Sequence, residues 1–224
     1  MRAYYDISLP LVPGWWLPSS VEVKKDVENP FYGKSDVVVA YPSGTTADPR
    51  KWRAGQQPHT MLANLGYSGW NERYTGTLTV EDVARFITRY GIFLFDPSRE
   101  TTSPTEISLA EFRVLQERLR EAWRRGNAKP LWHARGGQEL DIFHVPLTWV
   151  DNELALHAAD CWTYIRWLLA RDLHQGYAKV CAYPDCPAPF CVKDRSDAKY
   201  CNHLCAVNDR NRINRLKLQK RRTR

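Results

Sequence analysis

The residues best equipped for chemistry are crowded into CAYPDCPAPFCVKDRSDAKYCNHLC, residues 181–205, which holds five of the chain's six cysteines. Thiolate sulfur is a favoured ligand of zinc, which takes four ligands in a tetrahedron. Cys181 and Cys186 form a C-x4-C pair, and Cys201 and Cys205 a C-x3-C pair. The 14 residues between the pairs are enough for a hairpin that returns the chain to the metal, with residues 193–197 (KDRSD) as its turn. The expected zinc ligands are therefore Cys181, Cys186, Cys201 and Cys205. A site with all four positions filled by thiolates is structural, because no position remains for a catalytic water. Cys191 and His203 lie in the same stretch, and either is an alternative ligand. Phe190 and Tyr200 are expected to form the small core of this module, with Cys191 on the opposite face of a strand from Phe190.

Directly behind the cysteines the chain reads AVNDRNRINRLKLQKRRTR. These last 19 residues carry eight basic groups and one acid, Asp209, so they account for the whole net charge of +7 and the other 205 residues are neutral. The segment lacks Pro and Gly and has helical propensity. Ile213, Leu216 and Leu218 are too few to bury it deeply. Arg forks suit phosphate or guanine, and Asn suits adenine. Arg210, Arg212, Arg215, Lys217, Lys220, Arg221 and Arg222 are thus the candidate nucleic-acid contacts. A block of one sign also suits an acidic membrane surface, but a wide apolar face is missing.

The stretch CAYPDC…F…DRSDAKYCNHLC…NRINR resembles the C-terminal zinc fingers of bacterial CGNR-type proteins, and a broader group of short treble-clef fingers ending in an Arg-rich helix. After Cys205 this chain reads Ala-Val-Asn where that family carries Gly-Asn-Arg. The resemblance implies a zinc-binding, DNA-contacting module over residues 181 to about 215, often part of a transcription regulator. DNA is accordingly expected ahead of RNA.

The elements that must hold this module are legible upstream. Residues 1–78 read as β-rich, with strands at VEVKKDV (21–27) and DVVVAY (36–41) and frequent Pro and Gly. Trp15, Trp16, Trp52 and Trp70 lie there as expected core residues. Residues 79–177 read as mainly helical, with three helices. The first is capped at Thr79, carries Val83, Phe86, Ile87 and Tyr90 on one face, and stops at Gly91, after which IFLF (92–95) reads as a short strand. The second is capped at Ser108, buries Phe112, Leu115, Leu119 and Trp123, and ends at Gly126; Glu111, Arg113, Glu117, Arg118, Arg120 and Glu121 are expected on its solvated face. The third is capped at Asp151, runs through Leu154 and Ala158 to Leu173, and buries Cys161 as a small hydrophobe. The fold class is α+β: a body over 1–177 and a finger with a basic helix over 178–224.

Composition bounds the function further. At 43% hydrophobic and 25% charged, the chain is expected to be an ordinary soluble protein. It has no membrane-length apolar run and no signal-peptide pattern at MRAYYDISLP, so a cytoplasmic protein is expected. A reducing cytosol favours metal over disulfides for clustered cysteines. No phosphate loop, nucleophile elbow or H-E-x-x-H pattern is present, and no enzyme activity is expected. The set His133, Arg135, Glu139, Asp141 and His144 leaves an unrecognised nuclease as one alternative, although Gly136-Gly137 reads as a simple hairpin. The other alternative is a subunit of a nucleoprotein assembly of the CRISPR-effector kind, in which the body docks on RNA or partner proteins.

Overall fold

The computed structural model describes residues 11–13, 15–30, 33–48, 56–66, 78–91, 104–128, 131, 147–150, 153–158, 160–195 and 197–222. The element order is β1 (Leu11–Pro13), β2 (Trp16–Asn29), β3 (Gly33–Thr46), α1 (Pro58–Asn64), α2 (Val80–Tyr90), β4 (Thr105–Ser108), α3 (Leu109–Arg125), β5 (Leu147–Val150), β6 (Glu153–Ala158), α4 (Cys161–His174), β7 (Ala178–Val180), β8 (Phe190–Val192) and α5 (His203–Arg222). The fold is α+β, as expected.

An antiparallel sheet in the order β2-β3-β4 forms the N-terminal layer. Both strands expected at 21–27 and 36–41 are present, and each is extended into a 14-residue strand by the long hairpin. Val37, Val38, Val39 and Ala40 are all buried, as suits the central strand of a sheet covered on both faces. A second sheet, β1-β6-β5, pairs β1 parallel to β6.

Helices α2 and α3 form where their caps foretold. Thr79 and Asp82 make a reciprocal capping box at the start of α2. The helix stops at Gly91, whose φ of +96° is open to glycine; a Cβ there would lie 2.6 Å from the Trp15 ring. The Trp15 indole donates to the Tyr90 carbonyl at 2.7 Å, locking the end of α2 to the start of the first hairpin. Ser108 caps α3 by accepting from the Glu111 amide, and Gly126 ends it in the left-handed conformation.

Three expectations are corrected. The third helix does not begin at Asp151: Leu154 and Ala158 belong to strand β6, and α4 starts at Cys161, capped by Asp160, which accepts from the Thr163 amide at 2.6 Å. A short helix, α1, stands within the stretch expected to be β-rich. Glu111 and Arg120 are not solvated but buried. Arg120 donates to the carbonyls of Ala63 and Leu65, and Gln116 to those of Leu62 and Leu65. They give hydrogen-bond donors to the carbonyls at the end of α1, of which that of Leu62 also accepts from the Leu65 amide. The strand at 92–95, the Asp151 cap, the hairpin at 132–144 with its His, Arg and acidic residues, and Trp52 and Trp70 lie outside the described residues. Trp15 is buried in the core as expected, against Tyr164 at 5.0 Å between ring centroids, and Cys161 is fully buried.

Candidate metal centre

Strands β7 and β8 pair antiparallel, Ala178 with Val192 and Val180 with Phe190. The loop between them carries Cys181 and Cys186. It is shaped by the Cys186 amide donating to the Tyr183 carbonyl at 3.1 Å and the Cys181 amide to the Pro189 carbonyl at 2.7 Å. The first cysteine pair therefore sits at the tip of the hairpin. The sequence instead placed the hairpin between the two pairs. The described residues of the stretch 193–197 do turn, with the Ala198 amide donating to the Arg195 carbonyl and a two-pronged Arg195–Asp197 contact, but the turn leads from β8 to the second pair rather than closing the hairpin.

The second pair is brought back by backbone bonding. The Ala182 amide donates to the Lys199 carbonyl at 2.8 Å, and the Cys201 amide points at the Cys181 sulfur at 3.4 Å. Asn202 caps α5 by accepting from the Cys205 amide at 2.8 Å, which fixes Cys205 in the first turn. Sequence reasoning missed this cap, although Asn three residues ahead of Cys205 is its signal.

The four sulfurs of Cys181, Cys186, Cys201 and Cys205 all lie within 4.8 Å of one another. Cys201 is 3.5 Å from Cys186 and 3.4 Å from Cys205, and Cys186 is 3.7 Å from Cys205. Zinc–sulfur bonds of about 2.3 Å in a tetrahedron demand sulfur–sulfur edges of about 3.8 Å. The group is thus fit to bind a metal ion, and among the described residues it is the only cluster of that kind. Tyr183 and Tyr200 pack around it. Burial pushes the Cys186 thiol up to about 12 and raises Cys201 further. Burial also acts to raise Cys181, but amides of Cys201 and Tyr183 aimed at its sulfur outweigh it and hold the thiol below its ordinary value. The Cys186 and Cys201 sulfurs, 3.5 Å apart, resist deprotonation; a divalent cation removes that conflict.

Neither alternative ligand joins the group. His203 is exposed at the start of α5, and the Cys191 sulfur faces the Lys179 carbonyl at 3.7 Å. Cys191 stands on the other face of β8 from Phe190, as expected, and burial raises its thiol to about 11. Phe190, however, is not part of the finger's own core. It is buried in the main core beside Trp123, with ring centroids 5.7 Å apart. Asn64 at the end of α1 bonds both the carbonyl and the amide of Phe190, at 2.7 and 3.1 Å, and the Trp123 indole donates to the Lys179 carbonyl at 2.9 Å. The hairpin is thereby seated on the helical body.

From the metal group α5 runs on for 20 residues. Arg210, Arg215, Lys217, Lys220 and Arg221 are exposed, and Arg222 lies in the last turn. Arg212 differs: it is half-buried and forks onto Asp209 at 2.8 and 2.9 Å. Asp209, itself buried, also accepts from the Tyr200 hydroxyl at 3.0 Å. The tail's only acid thus ties the helix to the residue preceding Cys201. Ile213, Leu216 and Leu218 are exposed, in keeping with their small number. Among the described residues no helix is long and apolar enough to cross a membrane. No protein-family model, curated protein or solved structure matches the chain.

Proposed function

We propose that this chain is a zinc-dependent nucleic-acid-binding protein, acting on DNA rather than RNA, in which a four-cysteine zinc site aims the basic helix α5. One observation carries the reading. An exposed helix holding seven basic groups against one acid, nearly all of the chain's net charge, grows out of a four-thiol group that matches a tetrahedral site. A polyanion would feel this helix as a local field while the neutral body contributes none. Cys181, Cys186, Cys201 and Cys205 would hold the ion, and zinc there would link the hairpin loop to the first turn of α5 without chemical reactivity of its own. Asp209 fixes the direction of the helix by gripping Arg212 and Tyr200. Arg212 is therefore a positioning residue, and Arg210, Arg215, Lys217, Lys220, Arg221 and Arg222 are left as the contacts.

The test is purification of the full chain with its metal content measured, followed by titration with a fluorescent duplex. The expected result is one zinc per chain, retained in Cys191→Ala and lost in Cys205→Ser, and salt-sensitive binding that deletion of residues 210–224 abolishes. Less than about half an equivalent of zinc in a folded chain would refute the metal assignment. Unchanged affinity after the deletion would refute the nucleic-acid assignment.

A further inference from the structure

Helix α5 turns by about 100° per residue. Leu204, Asn208, Asn211, Arg215 and Leu218 follow one another at steps of four and three and so share one face. Past the half-buried Asn208, this face presents Asn211, Arg215 and Leu218 exposed. Arg210, Lys217 and Arg221 fall together on a second stripe about 120° round the helix. One stripe thus offers the side chains that discriminate bases, and the next offers point charges.

We infer that α5 enters the major groove of duplex DNA, with Asn211 and Arg215 at base edges and Arg210, Lys217 and Arg221 along the phosphates. This rests on the function proposed above and deepens it. Asn pairs in two-pronged fashion with adenine, Arg does so with guanine, and an aliphatic residue such as Leu218 suits the thymine methyl. Residues 211 to 218 span about 10 Å of helix, the length of about three base steps.

Other occupants fit less well. Single strands are gripped by stacking on aromatic rings, and residues 204–222 contain none. The major groove of A-form RNA is too deep and narrow for a helix. A second copy of α5 packed on the same stripe would set Arg215 against Arg215 without an apolar seam. Charge complementarity favours DNA, because the helix's one acid, Asp209, is already neutralised by Arg212.

The experiment is selection from a randomised duplex library with the zinc-loaded full chain. It is followed by titration of the enriched duplex and a scrambled one. The expected outcome is enrichment of about three adjacent base pairs including adenine and guanine, with discrimination on the order of tenfold or more per base. Asn211→Ala and Arg215→Ala should each relax the preference at one position, whereas Lys217→Ala should weaken both duplexes equally. Alanine is the best helix former, so these exposed sites tolerate it. Salt-dependent binding without enrichment would overturn the groove assignment and leave the proposed function standing. So would enrichment that survives both Asn211→Ala and Arg215→Ala. Absence of salt-dependent binding to any library would remove the two together.

Discussion

His59 is sealed between the Asp172 carboxylate, 2.9 Å from its Nε2, and the Trp123 ring, stacked at 5.5 Å. Its Nδ1 has no hydrogen-bond partner among the described residues. Burial therefore lowers its pKa, against the pull of Asp172. Burial acts to raise Asp172, but the hydrogen bond from His59 and the Arg171 guanidinium hold it below the usual carboxylate range. With His59 depressed, the unfolded chain binds the extra proton first. Stability due to His59 is complete above its ordinary pKa of 6.5 and is lost as pH falls below that value toward the depressed folded pKa. Denaturant midpoints taken from pH 7.5 down to 5 should show a loss of at most about 1.4 kcal/mol per pH unit from this group. His59→Gln, although less stable throughout, should lack that component. Identical pH slopes in the two proteins would contradict it. Asp172 contributes at lower pH, outside this window.

At the scale of elements, the body and the finger meet at α1. This seven-residue helix is too short to stand alone and is held by Gln116 and Arg120 of α3. Its last residue, Asn64, pairs with the Phe190 backbone as a neighbouring strand would. Asn64→Ala should cost about 1–3 kcal/mol by leaving those backbone groups unmatched. It should also speed amide exchange in β7 and β8; unaltered exchange there would show that the contact does not hold the hairpin. None of this was legible in the sequence, because Asn64 and Phe190 are 126 positions apart. Helices α2 and α3 were legible because their caps and apolar periods are local. ELALHA was misread because Leu154 and Ala158 also fit a helical period; pairing of Leu156 with Leu11 and Leu147 decides for a strand. Arg120 was assigned to solvent by its charge alone, since the carbonyls it bonds could not be foreseen. The cysteine quartet was legible from spacing, but the place of the hairpin was not. The loop carrying Cys181 and Cys186 is itself the hairpin's tip.

Across the whole molecule, charge and packing are divided between different segments of the chain. A body with almost no net charge buries its aromatic core and grips the hairpin, and nearly all of the net positive charge is displayed on the helix beyond the cysteines. That division makes salt the sharpest probe. Each phosphate contact contributes about 0.9 to the slope of log affinity against log salt concentration on duplex DNA. The decisive measurement is this slope for the zinc-loaded full chain and for the double variant Lys217→Gln, Arg221→Gln, each titrated with one duplex. The parent chain should show a steep slope that becomes shallower by about 2 in the variant. A parent chain whose binding ignores salt, or a slope that the double variant leaves unchanged, would contradict it.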